Sequence, residues 1–140
     1  MQELIARAKE LLADGTVTRV LGWKAGDLPY NPEAAYFETA ESLDEFVYNG
    51  FCGQNLSKMM IEASKLEGKT LVCLKPCDTY SFNQLIKEHR VDREKAYIIG
   101  VGCKGKLDIE KIRKMGIKGI RGISGAELAG DAETLTVDTV

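Results

Sequence analysis

Three cysteines, Cys52, Cys77 and Cys103, sit in glycine- or proline-bearing stretches, 25 and 26 residues apart. A thiolate is both a nucleophile and a soft metal ligand. Thiols that meet in space can therefore hold a metal or a metal–sulfur cluster, or carry thiol redox chemistry. The neighbouring residues favour the ionised form. Lys75, Lys104 and Lys106 crowd Cys77 and Cys103, and helices are expected to begin beside Cys52 and at Asp78. Cations and helix N-termini both lower a thiol pKa. Gly50, Gly53, Gly102 and Gly105 let the backbone approach a bulky ligand and aim amides at it, and Pro76 fixes the turn before Cys77. No CxxC occurs, so neither a zinc ribbon nor a thioredoxin motif is indicated. The fourth thiol, Cys73, lies between Val72 and Leu74 and reads as a buried hydrophobe, which makes Cys73 and Cys77 a weak redox pair. Three readings stand at this point: a metal or cluster site, a reactive thiol at Cys77 or Cys103, and structural cysteines in an interaction domain.

These thiols need elements to position them. Gln2 to Ala13 carries Leu4, Ile5, Ala8, Leu11 and Leu12 at helical spacing, and Asp14-Gly15 ends the helix. Thr16 to Trp23 is β-branched and predicts a strand, Ala34 to Glu38 a shorter one, and Ser42 to Val47 a turn capped by Ser42. A helix is expected from Asn55 to Leu66, with Leu56, Met59, Met60, Ala63 and Leu66 inward. The apolar run Thr70–Leu74 predicts a buried strand. Asp78 is then the expected N-cap of a helix over Thr79–His89, with Phe82, Leu85, Ile86 and His89 on its buried side. Ala96–Val101 predicts a second buried strand, and Asp108 caps a helix over Ile109–Met115 with Ile109, Ile112 and Met115 inward. Apolar strands alternating with amphipathic helices define an α/β fold, a mostly parallel sheet with helices on both faces. Gly122–Leu128 and Thr134–Val140, around Gly130-Asp131, predict a C-terminal β-hairpin. In an open α/β sheet ligands bind beyond the carboxyl ends of the strands. Cys77 and Cys103 follow two such ends, and Cys52 precedes a helix that can face the same rim.

Composition narrows the function. The 140 residues are 44% hydrophobic and 29% charged, as expected of one globular domain. A net charge of −2 argues against a nucleic-acid binder. No apolar run approaches the ~18 residues of a membrane span, and the N-terminus lacks the apolar run of a secretory signal, so the chain reads as cytoplasmic. Four cysteines are too few for a disulfide scaffold. His89 is the single histidine, read as structural, which disfavours a His-based triad or metal site. Gly100 to Gly105 fits a dinucleotide fingerprint poorly. Trp23 and the tyrosines look scattered, and Lys111, Arg113, Lys114, Lys118 and Arg121 read as a solvated basic face. The chain reads as a single α/β domain over residues 1–140; its last strand runs to Val140 without a cap, so it is either a terminal edge strand or, as expected, the point where the N-terminal part of a longer iron–sulfur protein was cut.

Three segments carry a family likeness: Asn49-Gly50-Phe51-Cys52, Leu74-Lys75-Pro76-Cys77-Asp78 and Ile99-Gly100-Val101-Gly102-Cys103. With Asn55–Lys65 and Val91–Lys95, they make the chain from Leu4 to Val137 resemble the N-terminal part of coenzyme F420-reducing hydrogenase/dehydrogenase beta subunits. It is likewise similar to 4Fe-4S ferredoxin-type proteins that begin with this α/β domain. The resemblance implies that Cys52, Cys77 and Cys103 are ligands of a 4Fe-4S cluster and that the chain carries electrons as a component of an oxidoreductase, without catalytic residues of its own. Its implied partners are redox proteins or a C-terminal ferredoxin-like region, with no nucleic acid and no membrane span. Lys75, Lys104 and Lys106 would then offset the cluster's negative charge and raise its potential. Flavin and F420 binding, found in beta subunits, are not carried over to this chain, for want of residues to match, and flavin stays open. A 4Fe-4S cluster ordinarily takes four thiolates. The fourth is expected from a C-terminal region, a partner chain, Cys73 after rearrangement, or a non-cysteine group.

Overall fold

The structure is a computed structural model describing the chain except residues 29, 104, 117–119, 130, 131 and 140; over 120–139 it describes the backbone only. Lys104, the Gly130-Asp131 turn and the end at Val140 therefore lie outside the described residues.

Helix α1 spans Gln2–Ala13 and buries Ala8 and Leu11. It ends at Asp14, and Gly15 follows with φ +79°, a left-handed conformation that glycine adopts without steric cost. Strands β1 (Arg19–Lys24), β2 (Glu33–Phe37), β3 (Thr70–Leu74) and β4 (Ala96–Gly100) form one sheet in the order β2-β1-β3-β4. β1, β3 and β4 run parallel, and β2 is antiparallel to β1. Every residue of β3 is buried, because a strand inside a parallel sheet is covered on both sides.

Side-chain alternation separates the two faces. Leu21 and Tyr36 are paired and share one face, where the Tyr36 hydroxyl donates to the Met59 carbonyl at 3.1 Å. The crossover over residues 56–63 therefore covers that face. Gly22 points the other way. Any side chain there would meet the Phe46 ring, and the turn before Phe46 is tied to α1 by a Lys9–Asp44 ion pair at 2.8 Å. Helices thus cover both faces, as the sequence predicts. Helix α3 (Pro76–Lys87) links β3 to β4, and α4 (Ile109–Lys114) follows β4. Strands β5 (Ile120–Ala129) and β6 (Ala132–Thr139) pair antiparallel as the predicted hairpin, with two register irregularities in β5.

Several local expectations are corrected. The helix predicted over Asn55–Leu66 is a 3-10 turn at Leu56–Met59 and one α-helical turn, α2 (Met60–Ala63); Leu66 is 47% exposed. Asn55 caps this segment by accepting from the Ser57 N–H. Ser42 does not act as the cap of its turn; it exchanges hydrogen bonds with Thr39 instead. Asp78 is not the N-cap of α3. Proline's fixed φ lets the helix start at Pro76, so Asp78 falls in its first turn and accepts the Lys75 N–H at 3.4 Å. His89 lies past the end of α3, exposed, with φ 57°. Met115, expected inward, is 75% exposed, because α4 buries none of its residues. The Asp108 cap is as predicted, accepting from the Glu110 and Lys111 N–H groups.

Candidate functional site

The carboxyl ends of β3 and β4 open onto one rim, and each delivers a segment to it. β3 leads through Lys75 and Pro76 into Cys77, the second residue of α3. β4 leads through Val101, whose N–H donates to the Leu74 carbonyl at 2.9 Å, into Gly102 and Cys103. Cys52 enters from the crossover between β2 and β3. A cavity of about 400 Å³ lies between these segments, lined by Cys52, Gly53, Lys75, Pro76, Cys77, Cys103, Gly105 and Lys106. Three cysteines far apart in sequence thus line one cavity. Cys73 does not. It is fully buried within β3, on the sheet face opposite Leu74.

Each loop is held by named bonds. In the Cys52 loop the Asn49 carboxamide oxygen accepts the Phe51 N–H at 2.9 Å, the Cys52 N–H donates to the Asn49 carbonyl at 3.1 Å, and the Asn49 N–H points at Cys52 Sγ at 3.4 Å. The Cys103 loop is tied to the Cys52 loop twice. The Tyr48 hydroxyl donates to the Gly102 carbonyl at 2.6 Å, and the Leu107 N–H donates to the Gly50 carbonyl at 2.8 Å. Buried Lys75 joins the remaining pair: its Nζ donates to the carbonyls of Cys52 at 3.0 Å and Gln54 at 3.3 Å. Asn55, Ser57 and Ser81 form a hydrogen-bonded triangle fastening the segment after Cys52 to α3.

Electrostatics differ between the thiols. The expectation that Cys52 is ionised more easily by an adjacent helix start is corrected. The next helical turn begins only at Leu56, and burial pushes the Cys52 thiol up, outweighing the Asn49 N–H and the Lys75 ammonium. Cys73 is pushed up to about 12 by burial alone. Cys77 and Cys103 are exposed. Cys77 lies in the first turn of a twelve-residue helix, and its Sγ is 3.7 Å from the Asp78 carboxylate.

Trp23 and Tyr48 do not stand out in the sequence, yet both belong to this rim. Their rings lie 5.1 Å apart, and Lys75 Nζ sits 5.5 Å above the Trp23 ring. Burial, with the Cys103 thiol next, raises the Tyr48 phenol pKa. The available signals were positional: Tyr48 directly precedes Asn49-Gly50-Phe51-Cys52, and Trp23 stands at the carboxyl end of the first parallel strand.

The donors suit a thiophilic group in kind. Among the described residues no three His, Cys, Asp or Glu side chains are grouped closely enough to hold a metal ion. Cys73 cannot supply a fourth thiolate without disrupting β3, whose Cys73 pairs with Ile99 of β4.

No family model matches the chain. It is 28% identical over 99 residues to the F420-dependent formate dehydrogenase 1 subunit beta of Methanococcus maripaludis, an alignment covering 71% of this chain and 26% of that protein. It is 26% identical over 107 residues to the F420-dependent formate dehydrogenase subunit beta of Methanocaldococcus jannaschii, covering 76% and 28%. In structure it matches a chain of the F420-reducing [NiFe] hydrogenase complex from Methanosarcina barkeri with a TM-score of 0.68 at 15% identity, covering 98% of this chain and 52% of that one. The chain therefore resembles the beta subunits of F420-dependent redox enzymes, in agreement with the sequence likeness. It spans about a quarter of the curated relatives' length and about half of the solved chain. Among the described residues no helix is long and apolar enough to cross a membrane.

Proposed function

We propose that this chain is an electron-transfer domain that holds a 4Fe-4S cluster between Cys52, Cys77 and Cys103 and works in the cytoplasm within a multi-subunit oxidoreductase of the F420-dependent type. The observation that supports this reading is that three sequence-distant cysteines line one cavity at the carboxyl rim of a parallel sheet. Likeness to beta subunits of F420-dependent formate dehydrogenases supports the redox-complex setting. A bound cluster supplies one-electron redox chemistry. The chain's own residues hold and orient: Asn49 and the Lys75 bonds fix the Cys52 loop, the first turn of α3 presents Cys77, and Tyr48 with Leu107 ties down the Cys103 loop. The fourth ligand comes from outside these residues, from a further segment or a redox partner.

Anaerobic reconstitution with iron, sulfide and an excess of a small thiol, which fills the position left to the outside ligand, tests the reading. The expected result is a brown protein with the broad visible absorbance of an iron–sulfur cluster. Cys52→Ser, Cys77→Ser and Cys103→Ser should each lose most of the bound iron, while Cys73→Ala keeps it. Stoichiometric zinc without iron, or serine variants that load like the parent, overturns it.

A further inference from the structure

Resting on the cluster reading above, we propose that Lys75 is the positioning residue of this site. Its ammonium acts as a strut between the Cys52 and Cys77 segments and as the fixed charge that favours the reduced state. The sequence offers three lysines for charge compensation, but their surroundings are unequal. Lys106 is exposed and lies across Gly53, where water and salt screen it. Lys75 is 4% exposed, and its charge acts through a medium of low dielectric, where a given separation carries far more energy. It also spans the cavity wall, from the strand end that leads to Cys77 to the carbonyls of Cys52 and Gln54.

The buried ion pair by itself gives little stability reason for such a residue. Removing an ammonium and a carboxylate from water costs several kcal/mol per ion, and apolar residues of similar volume are often as stable or better. The nearby Asp78 carboxylate, 2% exposed, is 3.8 Å from Lys75 Nζ, longer than either carbonyl contact, and its other oxygen faces Cys77 Sγ. The ammonium is therefore held toward the Cys52 side of the cavity and the carboxylate toward the Cys77 side. One electron added to the site adds one negative charge. A fixed buried cation stabilises that state and a fixed anion opposes it.

The test is a redox titration of the anaerobically reconstituted chain, followed by visible absorbance, for the parent, Lys75→Met, Lys75→Arg and Lys106→Met. Lys75→Met is expected to lower the reduction equilibrium constant about tenfold, a midpoint about 59 mV more negative for one electron. Lys75→Arg should restore most of that loss, and Lys106→Met should change the constant less than about threefold. If Lys75→Met does not fold or load, Asp78→Asn decides, with an expected shift of the midpoint to more positive values. An unchanged midpoint in Lys75→Met, or in Asp78→Asn where that variant decides, overturns the inference while leaving the cluster reading standing. A parent protein that binds no iron overturns both.

Discussion

The four thiols are set apart by their access to water. Cys73 is enclosed in β3 and its ionisation is pushed up to about 12, whereas Cys77 and Cys103 are exposed. An alkylating reagent at mildly alkaline pH should modify Cys77 and Cys103 in the native chain and reach Cys73 only after denaturant is added. Mass spectrometry of the labelled peptides reads this directly, and native labelling of Cys73 would contradict its burial. The same shift has a stability consequence. An unfolded thiol ionises near pH ~8.5, so the unfolded chain loses its proton first as pH rises. The Cys73 contribution is fully present below that pH and is progressively lost up to about 12. Denaturant midpoints at about pH 8 and about pH 10 should therefore fall further apart in the parent than in Cys73→Ala. At Tyr48, substitution by Phe removes the hydroxyl that donates to Gly102 and should cost about 1 kcal/mol by equilibrium unfolding.

At the scale of elements, close packing of α1, β1 and the turn before Phe46 depends on one missing side chain. A Cβ at Gly22 would clash with the edge of the Phe46 ring, so Gly22→Ala should destabilise by about 1–3 kcal/mol, whereas Gly15→Ser meets no atoms but strains a φ of +79°. Both are measurable by chemical denaturation. Asp108→Ala removes the acceptor for two N–H groups of α4 and should cost about 1 kcal/mol. Elements with strong local signals were legible in the sequence. The periodic run of α1 matches the predicted bounds, and the apolar block of β3 matches residue for residue. The Asn55–Leu66 pattern misled because helical spacing of Met59, Met60 and Ala63 is equally satisfied by a 3-10 turn followed by one α turn. Nothing in that spacing reveals where packing against the sheet ends the helix.

For the whole molecule, the cavity joins segments that fold as parts of one sheet, so occupation of the site and stability are linked. A group that binds only the folded form stabilises it by mass action. On the cluster reading, reconstitution should raise the thermal midpoint of the parent, and Cys77→Ser should abolish that rise without lowering the midpoint of the unloaded chain by more than about 2 °C, since an exposed side chain changes little when replaced. A rise that survives Cys77→Ser would place the stabilising group elsewhere.

Residue types and local periodicity alone determined the alternation of strands and helices, the burial of Cys73 and the placing of Cys77 and Cys103 just beyond strand ends. These follow from side-chain chemistry and neighbours within a few positions, which a linear sequence displays. Only the tertiary structure decided that Cys52 joins them on one cavity, that Lys75 is buried against the Cys52 carbonyl while Lys106 is exposed, and that the Trp23 and Tyr48 rings meet at the same rim. Those relations depend on strand order and on which face each crossover covers. Both are settled by long-range burial of apolar surface, for which no residue carries a local mark.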